Sequence, residues 1–210
     1  MIPYKKYRYI YPPRPENKVP LVNLSEYDNG TYMGQPKLNG SNLTVYTNGI
    51  EVFLMNRHKG EMSNIKINKQ IFLDLHRGEG WMAINGEYMN KNKKGKNGEP
   101  FNHKFVIFDV LVYNGKQTVG KTFKERKNLI KTLYETTEYD GFIEKINSEV
   151  YVVKDFFSMF VNIYTKITQI DMYEGLVLKL SNVKLKNGVS QKNNTEPQIK
   201  VRKETKNYNY

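Results

Sequence analysis

Cysteine is absent from the 210 residues. Disulfide frameworks, thiolate zinc sites and cysteine nucleophiles are therefore excluded, and a reducing, cytoplasmic compartment is the expectation. No run approaches the ~20 apolar residues that a membrane helix needs. The opening Met1-Ile2-Pro3-Tyr4-Lys5-Lys6-Tyr7-Arg8 is basic but has no apolar core of a signal peptide, so the chain reads as soluble and unexported. Histidine is scarce: His58, His76 and His103 share no metal-ligand spacing and read as surface or structural residues. Gly78-Glu79-Gly80 and Gly95-Lys96-Asn97-Gly98 match neither a phosphate-binding Walker loop nor a dinucleotide fingerprint, and read as turns. Acidic residues are the other shortage. With 33 Lys and Arg against 21 Asp and Glu, the formal net charge is +12. Such a balance favours a polyanionic partner, nucleic acid first, over an acidic protein surface or a neutral metabolite.

What is present is enough for a proper core, with 39% hydrophobic and 13% aromatic residues. Residues 1–30 carry Pro3, Pro12, Pro13, Pro15 and Pro20, which remove backbone donors and disfavour regular structure, and read as an ordered or semi-ordered arm. From Tyr32 short strands follow: Tyr32 to Leu38, Leu43 to Tyr46, and Glu51 to Asn56, the last two joined by the hairpin signal Asn48-Gly49. Ile65, Ile67, Ile71, Phe72 and Leu75 approximate a helical stripe after Ser63 as N-cap. Phe105 to Val112 is apolar enough to be a strand buried on both faces, whereas the Lys/Asn/Gly segment Asn90 to Asn102 reads as a solvated loop. Two further amphipathic helices are predicted, one on Phe123, Leu129, Ile130 and Leu133, the other on Phe156, Phe157, Phe160, Ile163, Tyr164 and Ile167. Strands are predicted around Gly175 to Leu180 and Gln198 to Arg202, with a polar loop from Ser181 to Asn194 between them. The absence of regular strand–helix–strand alternation argues for one α+β domain of antiparallel sheets flanked by helices. Its expected bounds are 31–204, with a tail at 205–210.

Several charged residues sit at strand ends or inside apolar runs. Lys37 stands just before Asn39-Gly40, Arg57 ends the strand that begins at Glu51, and Glu87 follows Asn85-Gly86. Glu174 precedes the apolar Gly175 to Leu178 and Lys179 follows it, while Lys200 and Arg202 alternate on one face of the last strand. Each alone is an ordinary solvated charge. Their order is not ordinary. Lys37-Leu38-Asn39-Gly40, Asn85-Gly86-Glu87-Tyr88, Phe105 to Val112, Glu174 to Lys179 and Ile199-Lys200-Val201-Arg202 resemble, in sequence order, the nucleotidyltransferase motifs of ATP-dependent polynucleotide ligases and mRNA capping enzymes.

That resemblance implies an ATP-grasp-like nucleotidyltransferase domain and a covalent lysyl-AMP intermediate on Lys37. It implies ATP as substrate and Mg²⁺ or Mn²⁺ as the metal, with Glu174 and Glu87 as its carboxylates. Nucleotide contacts are implied for Arg57, Glu87, Phe108, Lys179, Lys200 and Arg202, with Phe108 stacking on the base and the two basic residues of the last strand at the α-phosphate. Three departures stand out. Asn39 occupies a place that is commonly Asp, and so offers no charge to a metal; Arg202 replaces the usual lysine. Gln35-Pro36 also lacks an acidic residue just before the lysine. The expectation is a lone domain without the OB-fold partner of DNA ligases and capping enzymes, acting on RNA ends or nicks. A minimal DNA ligase, a GTP-dependent capping-type guanylyltransferase and a nonenzymatic nucleic-acid-binding module on the same fold are the alternatives.

Overall fold

The computed structural model of the chain describes residues 12, 13, 15, 17–186 and 198–203. Two sheets organise them. The smaller contains β1 (Asn17–Lys18), β2 (Tyr32–Leu38), β11 (Tyr173–Leu180) and β12 (Gln198–Arg202), in the spatial order β1-β12-β11-β2. The larger begins with β3 (Ser41–Thr47), β4 (Val52–Asn56), β5 (Met82–Tyr88) and β6 (Phe105–Tyr113). It is completed by β7 (Lys116–Gln117), β8 (Thr137–Glu138), β9 (Ile143–Lys145) and β10 (Val150–Val153). Its order is β4-β3-β5-β6-β10-β9-β8, with β7 paired to β6.

The core follows from side-chain alternation along the strands. On β6, Val106 faces the smaller sheet and packs with Leu38, Leu176, Leu178 and Val201. Phe105 and Ile107 face the other way, into a second apolar layer with Leu43, Val45 and Ile84. Helices cover both layers. α1 (Lys69–Leu73) contributes Phe72 and α2 (Phe123–Leu133) contributes Ile130 to the second layer; α3 (Phe160–Ile167) contributes Phe160, Tyr164 and Ile167 to the first. α2 starts at a capping box, in which Thr122 and Glu125 satisfy each other's backbone donors.

Several expectations need correction. The sheets are mixed, because β10 runs parallel to β6 and β1 parallel to β12. α2 lies in the long crossover between β6 and β10, and such a connection delivers the returning strand in the same direction. The short strands β8, β9 and β10 carry too few residues for a legible alternation and are absent from the sequence prediction. Despite its prolines the arm carries regular structure: besides β1 it forms a 3₁₀ helix, Leu21–Tyr27, anchored by the buried Leu24. α1 is capped by Asn68 rather than Ser63, and residues 63–67 precede it without helix. Phe156 stands before α3, bridging the backbone of Gly34. Residues 187–194 of the predicted polar loop and the 205–210 tail lie outside the described residues. Among the described residues no helix is long and apolar enough to cross a membrane.

Candidate active site

Strand register assembles the charged residues before any ligand is considered. Lys37 on β2 and Arg202 on β12 both pair with Gly175 of β11, one from each side. An irregularity in the pairing falls between Tyr173 and Gly175, and Glu174 lies within it. Such a bulge re-aims a side chain. The outcome is a carboxylate between two cations: Glu174 Oε2 lies 2.5 Å from Lys37 Nζ and 3.0 Å from Arg202 Nη2. Gly175 has a φ of 145°, and a Cβ there would overlap the carbonyl oxygen of Val201, so the pairing of β11 with β12 requires glycine. Gly40 is constrained in the same way, since a Cβ would run into the carbonyl oxygen of Tyr88 and the side chain of Glu87. The Gly40 N–H donates to Glu87 Oε1 at 3.1 Å.

A cavity of about 400 Å³ opens between the two sheets. Every residue singled out from the sequence as a site residue lines it: Lys37, Arg57, Glu87, Phe108, Glu174, Lys179, Lys200 and Arg202. Phe108 presents its ring from β6. The Lys179 ammonium is buried, 5.2 Å from the Phe108 ring centroid and 4.4 Å from that of Phe123, so it is held by cation–π contacts on the cavity's inner side. Behind Phe108, Asp109 makes a two-pronged ion pair with Arg126 of α2, at 2.8 and 3.0 Å, with both side chains buried. Burial alone would raise the Asp109 carboxyl, but the Arg126 charge and hydrogen bond outweigh it and hold the group below its ordinary range.

The electrostatics of the cavity are uneven. Burial pushes Glu87 up to about 7, although Lys37 and Arg57 pull the other way. Lys200 is lowered, first by burial and then by its neighbours Lys37 and Arg202. Its ammonium donates to the carbonyl oxygen of Pro15 at 2.9 Å, tying the arm to the cavity rim.

Some of the lining was not legible in the sequence. Lys91, read there as one of several solvated loop lysines, reaches the cavity and donates to Asn39 Oδ1 at 2.6 Å. Nothing in its local pattern distinguishes it from Lys93, which instead pairs with Asp171 at 2.8 Å. Gln35 is also in the wall, with its amide nitrogen bonded to Asp155 Oδ1 at 2.8 Å. The histidines stand away from the cavity: His58 is exposed, His76 bonds the carbonyl of Gly80, and His103 contacts the Tyr88 hydroxyl. Among the described residues no group of three or more His, Cys, Asp or Glu side chains could hold a metal by itself. Glu87 and Glu174 nevertheless fit a hard, oxygen-preferring cation brought in with phosphate oxygens, because such an ion takes only one or two carboxylates from the protein.

No known protein-family profile matches the chain, and no curated protein does. Solved structures do. A mycobacterial DNA ligase D complexed with ATP and MES is similar with a TM-score of 0.64 and 14% identity, covering 94% of this chain and 61% of that one. A Lig E DNA ligase, described as binding DNA with a minimal scaffold, gives 0.52 and 19%, covering 84% and 63%. The Chlorella virus DNA ligase-adenylate gives 0.50 and 16%, covering 89% and 67%. The chain thus spans about three fifths of the length of the first two structures it matches. At these identities the likeness is one of fold.

Proposed function

We propose that this chain, whose fold is that of ligase nucleotidyltransferase domains, is an ATP-dependent polynucleotide ligase acting through a lysyl-AMP intermediate on Lys37. The observation that carries the reading is the convergence of Lys37, Glu174, Arg202, Lys200, Arg57 and Glu87 on one cavity. Six cations, counting Lys91 and Lys179, and two carboxylates around 400 Å³ suit a triphosphate far better than a neutral ligand.

An amine attacks phosphorus only when it is neutral. Glu174 Oε2 already accepts from Lys37 Nζ, and provides the outlet for the proton that the nitrogen must release. The Nζ–Pα bond forms as the bond from Pα to the bridging oxygen breaks, and pyrophosphate leaves with the electron pair. Lys200 and Arg202 lie on the strand two places from β2 and neutralise charge on the α-phosphate; Arg57 acts on Glu87, and Lys91 donates to Asn39, in the same cavity. Glu87 and Glu174 would hold Mg²⁺ or Mn²⁺, which supplies charge neutralisation of the phosphates when bound. In the following steps a 5′-phosphate takes the AMP from Lys37, and a 3′-hydroxyl then displaces it to join the ends. The net charge of +12 serves strand binding by counterion release, so binding weakens steeply with salt.

RNA ends or nicks are the first substrate reading, and the DNA ligases of like fold favour nicked DNA as the second. The experiment incubates the protein with α-labelled ATP and Mg²⁺, then chases with nicked RNA, nicked DNA and hybrid duplexes. Label on wild-type protein, none on Lys37→Ala, and transfer to a nicked strand is the expected result. Labelling of Lys37→Ala at the wild-type level overturns the mechanism, and labelling by GTP alone replaces it with a capping-type reaction. Nucleic-acid binding without any labelling would leave the nonenzymatic module.

A further inference from the structure

Three prolines of the N-terminal arm, Pro12, Pro13 and Pro15, line the cavity together with Lys37, Lys200 and Arg202. Pro12 and Pro13 are buried although they belong to no helix or strand. The arm is fastened just after them. β1 runs parallel to β12 with Lys18 beside Lys200, and the Val19 N–H donates to the Lys200 carbonyl oxygen at 3.2 Å. Pro15, two residues before β1, gives its own carbonyl oxygen to the Lys200 ammonium at 2.9 Å. Lys200 thus holds the arm twice, once through its backbone and once through its side chain.

The two contacts differ in what a ligand can exchange. The backbone bond belongs to the sheet, whereas the side-chain bond occupies a charged donor that a triphosphate needs. Lys200 stands in a positive field, to which Lys37, Arg202, Lys18 and Arg57 all contribute. A neutral carbonyl is a modest partner for an ammonium there. A phosphate oxygen carries a full charge, and hydrogen bonds between two charged groups are about twice as strong as neutral ones. The arm does not compensate by binding phosphate itself. Proline has no N–H, so at the three positions lining the cavity it offers only ring carbon and carbonyl oxygen. A segment that closed over a triphosphate would present N–H donors to it. This one presents acceptors, which repel phosphate oxygens.

We propose that the segment bearing Pro12, Pro13 and Pro15 is an autoinhibitory strap: its Pro15 carbonyl competes with the triphosphate for Lys200, and the triphosphate displaces it, with β1 as the fixed end. The inference rests on the reading of the cavity as a nucleoside triphosphate site. Apparent affinity is then the intrinsic affinity multiplied by the fraction of molecules whose strap is released. The prolines set that fraction, because they restrict the freedom that the released arm gains and so favour the strapped form. A ligand without phosphate makes no demand on Lys200 and leaves the strap in place. Entry to the catalytic lysine therefore depends on a phosphate chain.

The chain has no cysteine, so Pro13→Cys in the full chain places a single thiol at a buried position of the strap. Its alkylation by monobromobimane is followed alone and with inorganic tripolyphosphate, ATP or adenosine. Tripolyphosphate and ATP are expected to raise the rate ~10-fold or more, and adenosine to leave it unchanged. Slower alkylation under tripolyphosphate marks a lid that closes and overturns the proposal, as does an unchanged rate. Equilibrium dialysis of Pro12→Gly/Pro13→Gly supplies a second measurement, because glycine frees the released arm. Affinity for tripolyphosphate and ATP is expected to rise ~4- to 30-fold, with adenosine binding at the wild-type level. Equal or weaker tripolyphosphate binding by the folded double variant overturns the strap. Tripolyphosphate that frees the thiol in a protein taking no label on Lys37 would sink the ligase reading and leave this inference standing, whereas label on Lys37 without any change in thiol reactivity would do the reverse.

Discussion

Replacing Glu87 by glutamine exchanges one oxygen for an amide nitrogen and removes one ionisable group, so its effect on stability should depend on pH in a way that can be worked out beforehand. Burial raises this carboxyl from 4.5 to about 7, with Lys37 and Arg57 opposing and Glu174 adding to the rise. The folded protein therefore binds a proton more tightly than the unfolded chain does. Stability contributed by the protonated group is fully present below pH ~4.5 and is lost as pH rises toward 7, the folded value. A difference of this size corresponds to about 3 kcal/mol above pH 7. A glutamine amide at this position retains an oxygen for the Gly40 N–H and carries no charge to desolvate. Glu87→Gln should thus match wild type near pH 4.5 and exceed it by about 3 kcal/mol at pH 8, or roughly 6–12 °C in Tm for a chain of this size. Urea titrations of both proteins at pH 5, 6, 7 and 8, with chelator and without nucleotide, measure it. Groups common to both proteins cancel in the difference. A flat difference across that range would refute the reasoning, because it would mean that the carboxyl ionises in the fold as it does in the unfolded chain.

Two other outcomes follow from packing. Gly40→Ala places a methyl group against the Tyr88 carbonyl and the Glu87 side chain, and should slow labelling of Lys37 by ~10- to 100-fold while costing about 1–3 kcal/mol of stability; wild-type labelling rates would show that the Gly40 turn does not position Glu87. Asp109→Asn leaves Arg126 as an uncompensated buried charge behind Phe108, and should cost about 3–5 kcal/mol in urea denaturation. A cost below about 1 kcal/mol would mean that water or another group replaces the carboxylate.

The legible parts of the chain were those in which a local pattern carries its own physics. β6 is apolar apart from Asp109 because both of its faces are covered, and β12 was bounded correctly because Lys200 and Arg202 alternate around buried Val201. α2 announced itself by its apolar spacing. What failed was whatever depended on a partner elsewhere in the chain. The parallel pairing of β10 with β6 joins Val150 to Phe105 across a crossover that no local signal reveals. The helical stripe after Ser63 was broken by tertiary contacts: Lys66 bonds the hydroxyl of Tyr88, Ile67 is buried, and only five residues remain helical. Lys91 and Lys93 are alike in sequence, but one meets Asn39 and the other Asp171.

The sequence by itself determined the core-forming strands, the excess of positive charge and the order of the lysine and carboxylate motifs, because these depend on residue type and on short-range periodicity. Tertiary structure alone decided that Lys37 and Arg202 meet Glu174 across Gly175, that burial lifts Glu87, and that the Gln35 amide bonds Asp155. Those are properties of distance, burial and orientation between residues separated by as many as 137 positions, and strand register, not adjacency in the chain, sets them.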